Sequence, residues 1–356
     1  MTTNRGPVNV SPAVLTVRVT WLERTEIEDA TVDAALDPAL AAAEVRPAVV
    51  LGAALATVAV TPRAAQVAAS DAAPSRCRVR FMAGLPGTWT SCGSILTGSL
   101  SDPVRPLARL AGVKLSEHEV RIPAPDCEIR AVVVSPDGAG PWPGVLLYTD
   151  IFQVTESTLR TARRLASAGF VVCLPEIYPR GELAGVALEF DEPGKQAGLA
   201  GAAATTTGEF DSDRVAVLDY LEQRADLDDL FCVGFCIGGH LAFRAAFDSR
   251  VAATVCFYPT GLHNGALGAD ADAGTLARCA DIQGRLMIVF GSRDPHVPAP
   301  ARLQVVSALY AAGLEDLELH VYAGGEHAFM RDVGARHDPV LTDHALAEAV
   351  SFLSAR

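Results

Sequence analysis

Residues 231–240 read Phe-Cys-Val-Gly-Phe-Cys-Ile-Gly-Gly-His. The apolar first half is typical of a buried strand, and a helix is predicted to begin near Gly238. Between them stands the pattern G-x-C-x-G, in which glycines two places on either side of Cys236 permit a sharp turn. The chain is therefore expected to pass directly from a strand into a helix at Cys236, as it does in a sheet covered by helices.

The sequence around this turn repeats the same alternation. Short β-branched runs followed by amphipathic stretches predict an α/β fold with a mostly parallel, twisted sheet and helices on both faces. The runs at 144–149 and 286–290 are almost purely apolar, as strands buried on both faces are. Seven strands are predicted, at 130–134, 144–149, 169–174, 230–234, 252–257, 286–290 and 317–322, with helical patterns between them.

The first part of the chain differs from the rest. Residues 1–115 are rich in Ala, Val, Thr and Pro and show no sustained alternation of strand and helix. We interpret them as an N-terminal extension of unknown structure, poorly ordered or irregular, before a domain at residues 116–356; a targeting or regulatory segment is the alternative. Residues 198–204, rich in Gly and Ala, are interpreted as part of a flexible lid or a surface loop.

Composition excludes several classes of function. The net charge of -13 and pI near 5.0 leave no basic field for nucleic acid. The longest apolar run, at 47–62, is too short to span a bilayer and lies too deep for a secretory signal. The eight cysteines form no C-x-x-C pair, which favours a reducing cytoplasm over disulfides or zinc. With no nucleotide-binding motif either, we expect a cytoplasmic monomer that acts on a small molecule without a cofactor or metal.

The cysteine at the centre of the turn has a chemical interpretation. The pattern G-x-S-x-G is the nucleophile elbow, and Cys236 takes the place of its serine. At the N-terminus of a helix, free amides and the helix dipole stabilise a thiolate, which is the reactive form of cysteine. The alternative is that Cys236 is only a small residue at a tight turn.

A thiolate nucleophile needs a base, and the base needs an orienting carboxylate. Asp294 follows the strand predicted at 286–290, and His327 follows the one at 317–322. Loops at the carboxyl ends of parallel strands open on one edge of the sheet, so both side chains can converge on Cys236. Taken alone, Asp294 fits a turn former and His327 a loop histidine. Their order after separate strands favours a Cys-His-Asp triad.

From about residue 117 onward, the chain resembles the dienelactone hydrolase family, cysteine-nucleophile members of the α/β-hydrolase superfamily. The resemblance covers about two thirds of the chain and none of the first ~115 residues. The matching stretches are Asp150-Ile-Phe152, Leu174-Pro-Glu-Ile-Tyr178, Gly234-Phe-Cys-Ile-Gly-Gly239, Asp294 with His296-Val-Pro-Ala-Pro300, and His327-Ala-Phe-Met-Arg331.

The resemblance implies hydrolysis of a lactone or small activated ester, with or without a carboxylate, through an acyl-enzyme on Cys236. His327 would take the thiol proton and later activate water, while Asp294 would fix the tautomer of His327. The backbone amides of Ile237 and Ile151 would form the oxyanion hole.

Two further roles also follow only from the resemblance. Arg331 matches a family arginine that pairs with a substrate carboxylate; the alternative is an exposed loop arginine. Asp150 stands where the family carries a glutamate that takes the proton of the resting cysteine and so gates its reactivity. A second family arginine is expected between residues 181 and 213, where the only cation is Lys195, so the substrate can differ from a dienelactone.

A second class of function stays open at this point. The length of the extension and the altered residue at Asp150 also fit a non-catalytic module that keeps the hydrolase fold. In that case the N-terminal extension would bind a partner or a membrane. The ordered triad together with Arg331 favours the hydrolase.

Overall fold

The computed structural model of the chain describes residues 14–18 and 113–355. Its nine strands are β1 (Val14–Arg18), β2 (Leu115–Pro123), β3 (Glu128–Pro136), β4 (Trp142–Tyr148), β5 (Val171–Pro175), β6 (Leu227–Phe235), β7 (Val251–Phe257), β8 (Arg285–Gly291) and β9 (Leu317–Tyr322). They form one sheet in the order β1-β9-β8-β7-β6-β4-β5-β3-β2. Six consecutive strands of this order are parallel to one another: β9, β8, β7, β6, β4 and β5. The other three, β1, β2 and β3, run antiparallel to their neighbours.

Helices cover both faces of this sheet. They are α1 (Glu156–Ala166), α2 (Glu192–Ala204), α3 (Thr207–Glu222), α4 (Ile237–Ala245), α5 (Ala299–Ala311) and α6 (Pro339–Ser354). Successive residues of a strand point to opposite faces, so each central strand contributes to two cores. Leu146 and Cys232 pack with α3, α4 and α5, whereas Val145 and Val233 pack with α1 and α6. The predicted fold class is confirmed.

All seven predicted strands are present, and two strands are additional: β1, which lies in the predicted extension, and β2. Its sequence, LSEHEVRIP, is mostly polar, and most of its side chains are exposed. A strand at the edge of a sheet needs only one partner, and charged side chains there discourage pairing with other molecules. The apolar pattern that reveals the central strands is therefore missing from β2.

The glycine-rich stretch interpreted as a lid or loop is a helix. Residues 192–204 form α2, which Asp191 caps by accepting a hydrogen bond from the amide of Gly194 at 2.8 Å. A Cβ atom added to Gly198 would lie 2.4 Å from the carbonyl oxygen of Ile151. Glycine is thus used here for close packing rather than for flexibility, and α2 lies directly against the turn that follows β4.

The predicted N-terminal extension, residues 1–115, falls mostly outside the described residues. Within it, β1 pairs antiparallel with β9, from Val14 opposite Tyr322 to Arg18 opposite Glu318. The division of the chain at residue 115, and the irregular character of the extension, stay predictions.

We expect Gly198→Ala to lower the free energy of unfolding by about 1 to 3 kcal/mol, because the added methyl group collides with a backbone oxygen that cannot rotate away. The matched control is Gly208→Ala in α3, where the added Cβ meets only the Thr206 hydroxyl, at 3.9 Å. This control should be neutral or stabilising, since alanine is the better helix former. Urea unfolding of both variants tests the packing, and equal stabilities would contradict it.

Candidate active site

Cys236 lies at the turn between β6 and α4, with φ 58° and ψ -120°. A positive φ is uncommon for a residue with a side chain and persists only where the surroundings enforce it. A Cβ atom added to Gly234 would lie 1.9 Å from the carbonyl oxygen of Gly238, and one added to Gly238 would lie 2.1 Å from that of Thr149. Both glycines are therefore needed, because three backbone segments meet at this turn.

The end of β7 and the loop that follows it hold the turn at Cys236 through backbone hydrogen bonds. The amide of Cys236 donates to the carbonyl of Phe257 at 3.1 Å, and the carbonyl of Cys236 accepts from the amide of Thr260 at 3.2 Å. The Thr260 hydroxyl oxygen lies 4.0 Å from Sγ of Cys236. The sulfur is thus held at the carboxyl end of β6 and is partly exposed.

Asp294 and His327 are buried and hydrogen-bonded to each other, with 2.8 Å between Oδ2 and Nδ1. The other carboxylate oxygen of Asp294 accepts from the amides of His296 and Val297, at 2.8 and 3.2 Å. Burial alone would raise the pKa of Asp294, but these hydrogen bonds and the charge of His327 outweigh it and hold that pKa below its usual value. An ionised Asp294 accepts from Nδ1–H and leaves Nε2 of the imidazole free.

The charge on His327 depends on its two acidic neighbours. Burial alone would lower the pKa of His327, but the charge of a Cys236 thiolate, polar contacts with Asp294 and Cys236, and the Asp294 charge raise it to about 10. These neighbours therefore favour the protonated form of the His327 imidazole. The structure brings Cys236, Asp294 and His327 to one edge of the sheet, although they lie far apart in sequence.

Two backbone amides, one after β6 and one after β4, have no protein acceptor among the described residues. Ile237 is the first residue of α4, so its amide has no partner within the helix. Ile151 follows β4 in a turn, and in residues 113–355 its amide donates to no other protein group. Both amides are available to a bound ligand.

Asp150 lies beside Arg331. Its Oδ2 is 3.6 Å from Nη1 of Arg331, and its Oδ1 accepts from the amide of Phe152 at 2.9 Å. Burial raises the pKa of Asp150, against the opposing charges of Arg331 and His327. Among the described residues, the Asp150 carboxylate has no hydrogen bond to Cys236.

Arg331 is held between two aromatic rings. Its guanidinium carbon lies 4.9 Å from the ring centre of Phe152 and 4.7 Å from that of Phe190, both within cation–π range. The side chain is mostly buried. The alternative of an exposed loop arginine therefore does not describe Arg331.

The sequence reasoning missed three residues around the site: Phe190, Tyr258 and Thr260. The Tyr258 ring contacts the His327 ring with 5.2 Å between centroids, and it lines a shallow recess together with Asp150 and Arg331. Tyr258 and Thr260 follow the carboxyl end of β7, and that position is a usable signal. No sequence pattern indicates Phe190, which lies in the long connection before α2.

Two other histidines lie close to the site. The His296 ring is 4.5 Å from the His327 ring, and burial together with the His327 charge lowers the pKa of His296. His240 is fully buried on α4, bound to the Thr260 carbonyl at 2.9 Å and the Thr275 hydroxyl at 2.7 Å. Burial lowers the pKa of His240 to about 3, so a neutral imidazole supports the helix under the turn.

One group of potential metal ligands occurs in the described residues, away from this site: Asp126, Cys127 and Asp213. Arg180 binds both carboxylates of the group, at 2.6 and 2.7 Å. The guanidinium thus already occupies the place that a cation would take. No helix in the described part of the chain is long and apolar enough to cross a membrane.

Comparison with known proteins identifies relatives of this chain. A protein of Saccharomyces cerevisiae provisionally named carboxymethylenebutenolidase is 34% identical over 229 residues, covering 61% of this chain and 83% of the relative. The carboxymethylenebutenolidase of Pseudomonas putida is 28% identical over 203 residues, covering 56% and 80%. The crystal structure of a provisionally named dienelactone hydrolase from Klebsiella pneumoniae superposes with a TM-score of 0.60 at 24% identity, covering 68% of this chain and all of that one.

The model of the dienelactone hydrolase family matches residues 129–356. This range includes the turn at Cys236, the Asp294–His327 pair and the ion pair of Asp150 with Arg331. The resemblance inferred from the sequence is thereby confirmed, and the chain is a hydrolase that belongs to the dienelactone hydrolase family.

Proposed function

We propose that this chain hydrolyses lactones or small activated esters through an acyl-enzyme on Cys236. The observation that carries the proposal is the buried Asp294–His327 hydrogen bond of 2.8 Å beside a cysteine held at a strained strand-to-helix turn. A carboxylate that orients an imidazole, and an imidazole that serves a nucleophile, are the parts that acyl transfer requires.

In the first half of the proposed reaction, Nε2 of His327 takes the proton of the Cys236 thiol. The thiolate then attacks the carbonyl carbon of the substrate, and a C–S bond forms while the carbonyl oxygen becomes an oxyanion. The free amides of Ile237 and Ile151 donate to that oxyanion, and each well-aimed donor contributes about 3 kcal/mol. The C–O bond to the leaving group breaks, and the leaving oxygen takes the proton back from His327.

In the second half, His327 removes a proton from water, and the resulting hydroxide attacks the thioester carbon. The C–S bond breaks, the acid product leaves, and His327 returns the proton to the sulfur. Asp294 stays ionised throughout and stabilises the imidazolium that forms in each half.

Asp150 and Arg331 are proposed to control the site without entering the reaction. Arg331 lies four residues after His327 and lines a recess with Tyr258, whose ring contacts His327, which supports a role in orienting the substrate. Gating of the Cys236 thiol by the Asp150 carboxylate is part of the proposal. The acidic charge and the scattered cysteines support a cytoplasmic, monomeric enzyme that acts on a small molecule.

We expect Cys236→Ala to lower kcat for 4-nitrophenyl butyrate by at least about 1,000-fold, because the acyl-enzyme can no longer form. The control is Cys127→Ala, which removes a partly buried thiol at another part of the domain and should keep parental activity. Release of 4-nitrophenol measures both variants. Equal turnover by Cys236→Ala and the parent would exclude the proposed nucleophile and favour the non-catalytic module.

We expect His327→Ala to slow the alkylation of Cys236 by iodoacetamide at least about tenfold at pH 7, because the imidazolium no longer stabilises the thiolate. The pKa of His327 lies near 10, so its charge is present below that pH and is lost above it. The two rates should therefore converge as the pH approaches 10. Mass spectrometry of the labelled peptide gives both rates, and equal rates at pH 7 would contradict the pairing.

A further inference from the structure

We propose that Thr260 is a further catalytic residue, whose hydroxyl donates a hydrogen bond to the Cys236 thiolate. His240 is the positioning residue that holds Thr260 in place for this donation. The inference rests on the proposed function, because it concerns the reactive form of the same nucleophile. It assigns to the sulfur a donor that comes neither from His327 nor from the first turn of α4.

The Thr260 hydroxyl is in contact with the nucleophile. Its oxygen lies 4.0 Å from Sγ of Cys236 and, among the described residues, forms a hydrogen bond with no other group. A thiol can donate or accept, but a thiolate can only accept, so the hydroxyl is the donor once the sulfur is ionised. Hydrogen bonds to a charged acceptor are shorter and stronger than neutral ones, so ionisation should shorten this contact.

The backbone of Thr260 is fixed against the turn at Cys236. Its amide donates to the carbonyl of Cys236 at 3.2 Å. A Cβ atom added to Gly239 in α4 would lie 2.9 Å from the carbonyl oxygen of Phe257 and 3.1 Å from Cα of Pro259. The loop after β7 therefore packs directly on α4, and Thr260 has little room to move away from the sulfur.

His240 holds the carbonyl of Thr260 from inside the domain. Nδ1 of His240 lies 2.9 Å from this carbonyl, which can only accept, so Nδ1 carries the proton. The imidazole is neutral, because His240 is fully buried and burial lowers its pKa to about 3. Nε2 therefore accepts from the Thr275 hydroxyl at 2.7 Å. A single tautomer of His240 satisfies both contacts.

Arg244 and Asp211 fix the direction of this chain of hydrogen bonds. Nη1 of Arg244 lies 2.9 Å from the Thr275 oxygen, and a guanidinium can only donate. The Thr275 oxygen thus accepts from Arg244 and keeps its own proton for His240. Arg244 is buried, and both carboxylate oxygens of Asp211 in α3 accept from it. A buried polar network whose groups have partners is rigid, so α3 and α4 together hold the Thr260 carbonyl.

The hydroxyl acts wherever the sulfur is charged. When Nε2 of His327 takes the thiol proton, Thr260 keeps its own proton and donates to the sulfur as negative charge forms there. In the acyl-enzyme the sulfur is neutral and accepts only weakly. When water attacks and the C–S bond breaks, the departing thiolate again accepts from Thr260. Stabilising developing charge with a donor already in place is the general means by which such sites lower barriers.

Thr260→Val tests the hydroxyl, since valine has a similar shape and no donor. We expect alkylation of Cys236 by iodoacetamide at pH 7 to be about tenfold slower than in the parent, because one hydrogen bond to the thiolate is lost. The two rates should converge near about pH 10, where a thiol ionises without this help. Thr260→Ser keeps the hydroxyl, so its rate should stay within about twofold of the parent.

The matched control is Thr254→Val, the same replacement earlier in β7. The Thr254 hydroxyl is buried and has no hydrogen-bond partner in the part of the chain that the structure describes. Its loss should leave alkylation of Cys236 unchanged. Mass spectrometry of the labelled peptide gives all four rates. A parental rate in Thr260→Val, or an equal loss in the valine and serine variants, would overturn the role of the hydroxyl.

His240→Leu tests the positioning role, because leucine cannot donate to the Thr260 carbonyl. We expect this variant to alkylate more slowly at pH 7, and the double variant with Thr260→Val to be no slower than Thr260→Val alone. Additive losses would show that His240 does not act through Thr260. If the leucine variant does not fold, His240→Asn decides: it keeps a donor for the carbonyl, and a rate as low as that of Thr260→Val would contradict the role.

The outcomes separate this inference from the proposed function. Thr260→Val should also lower kcat for 4-nitrophenyl butyrate about fivefold, with KM close to the parental value. If Thr260→Val alkylates like the parent and Cys236→Ala has no turnover, this inference fails and the proposed function stands. If Cys236→Ala hydrolyses the ester like the parent, the proposed function fails, and Thr260 is not a catalytic residue whatever the alkylation rates are.

Discussion

The turn at Cys236 is the constraint on which the rest of the site depends. A positive φ at a residue with a side chain costs about 1 to 3 kcal/mol, and here the packing of β6, α4 and the turn after β4 offsets it. Gly238 touches the backbone of Thr149, so the turn also fixes where the chain leaves β4. The sulfur and the amides of Ile237 and Ile151 are consequently positioned by one close contact of backbones. The buried helix α4 and the network around His240 support this contact from below.

Charge around the turn is balanced at short range. Asp294 is buried but receives three hydrogen bonds, so it stays ionised and can stabilise the charge on His327. Asp150 and Arg331 neutralise each other within the same recess. A buried charge without a partner would destabilise the fold, so the partner in each pair offsets the cost of burying the charge.

The sequence predicted the central sheet well and its margins poorly. Strands buried on both faces must be apolar, and all seven predicted from such runs are present. The edge strand β2 was not predicted because exposed strands carry charges instead of an apolar pattern. The stretch that forms α2 was interpreted as flexible because a glycine such as Gly198 suggests mobility in a sequence. The structure shows instead that Gly198 allows close packing against the carbonyl of Ile151. Of the site, Cys236, Asp294 and His327 could be selected since each directly follows a predicted strand.

The sequence by itself determined the class of fold and the family, and it predicted the order of nucleophile, acid and histidine. These depend on periodicity and on short local motifs, which a chain carries whether folded or not. Only the tertiary structure decided that Asp150 pairs with Arg331, that Phe190 covers the guanidinium, and that Tyr258 lies against His327. Such contacts join residues from separate loops, whose distances are set by the packing of the whole sheet and not by spacing along the chain.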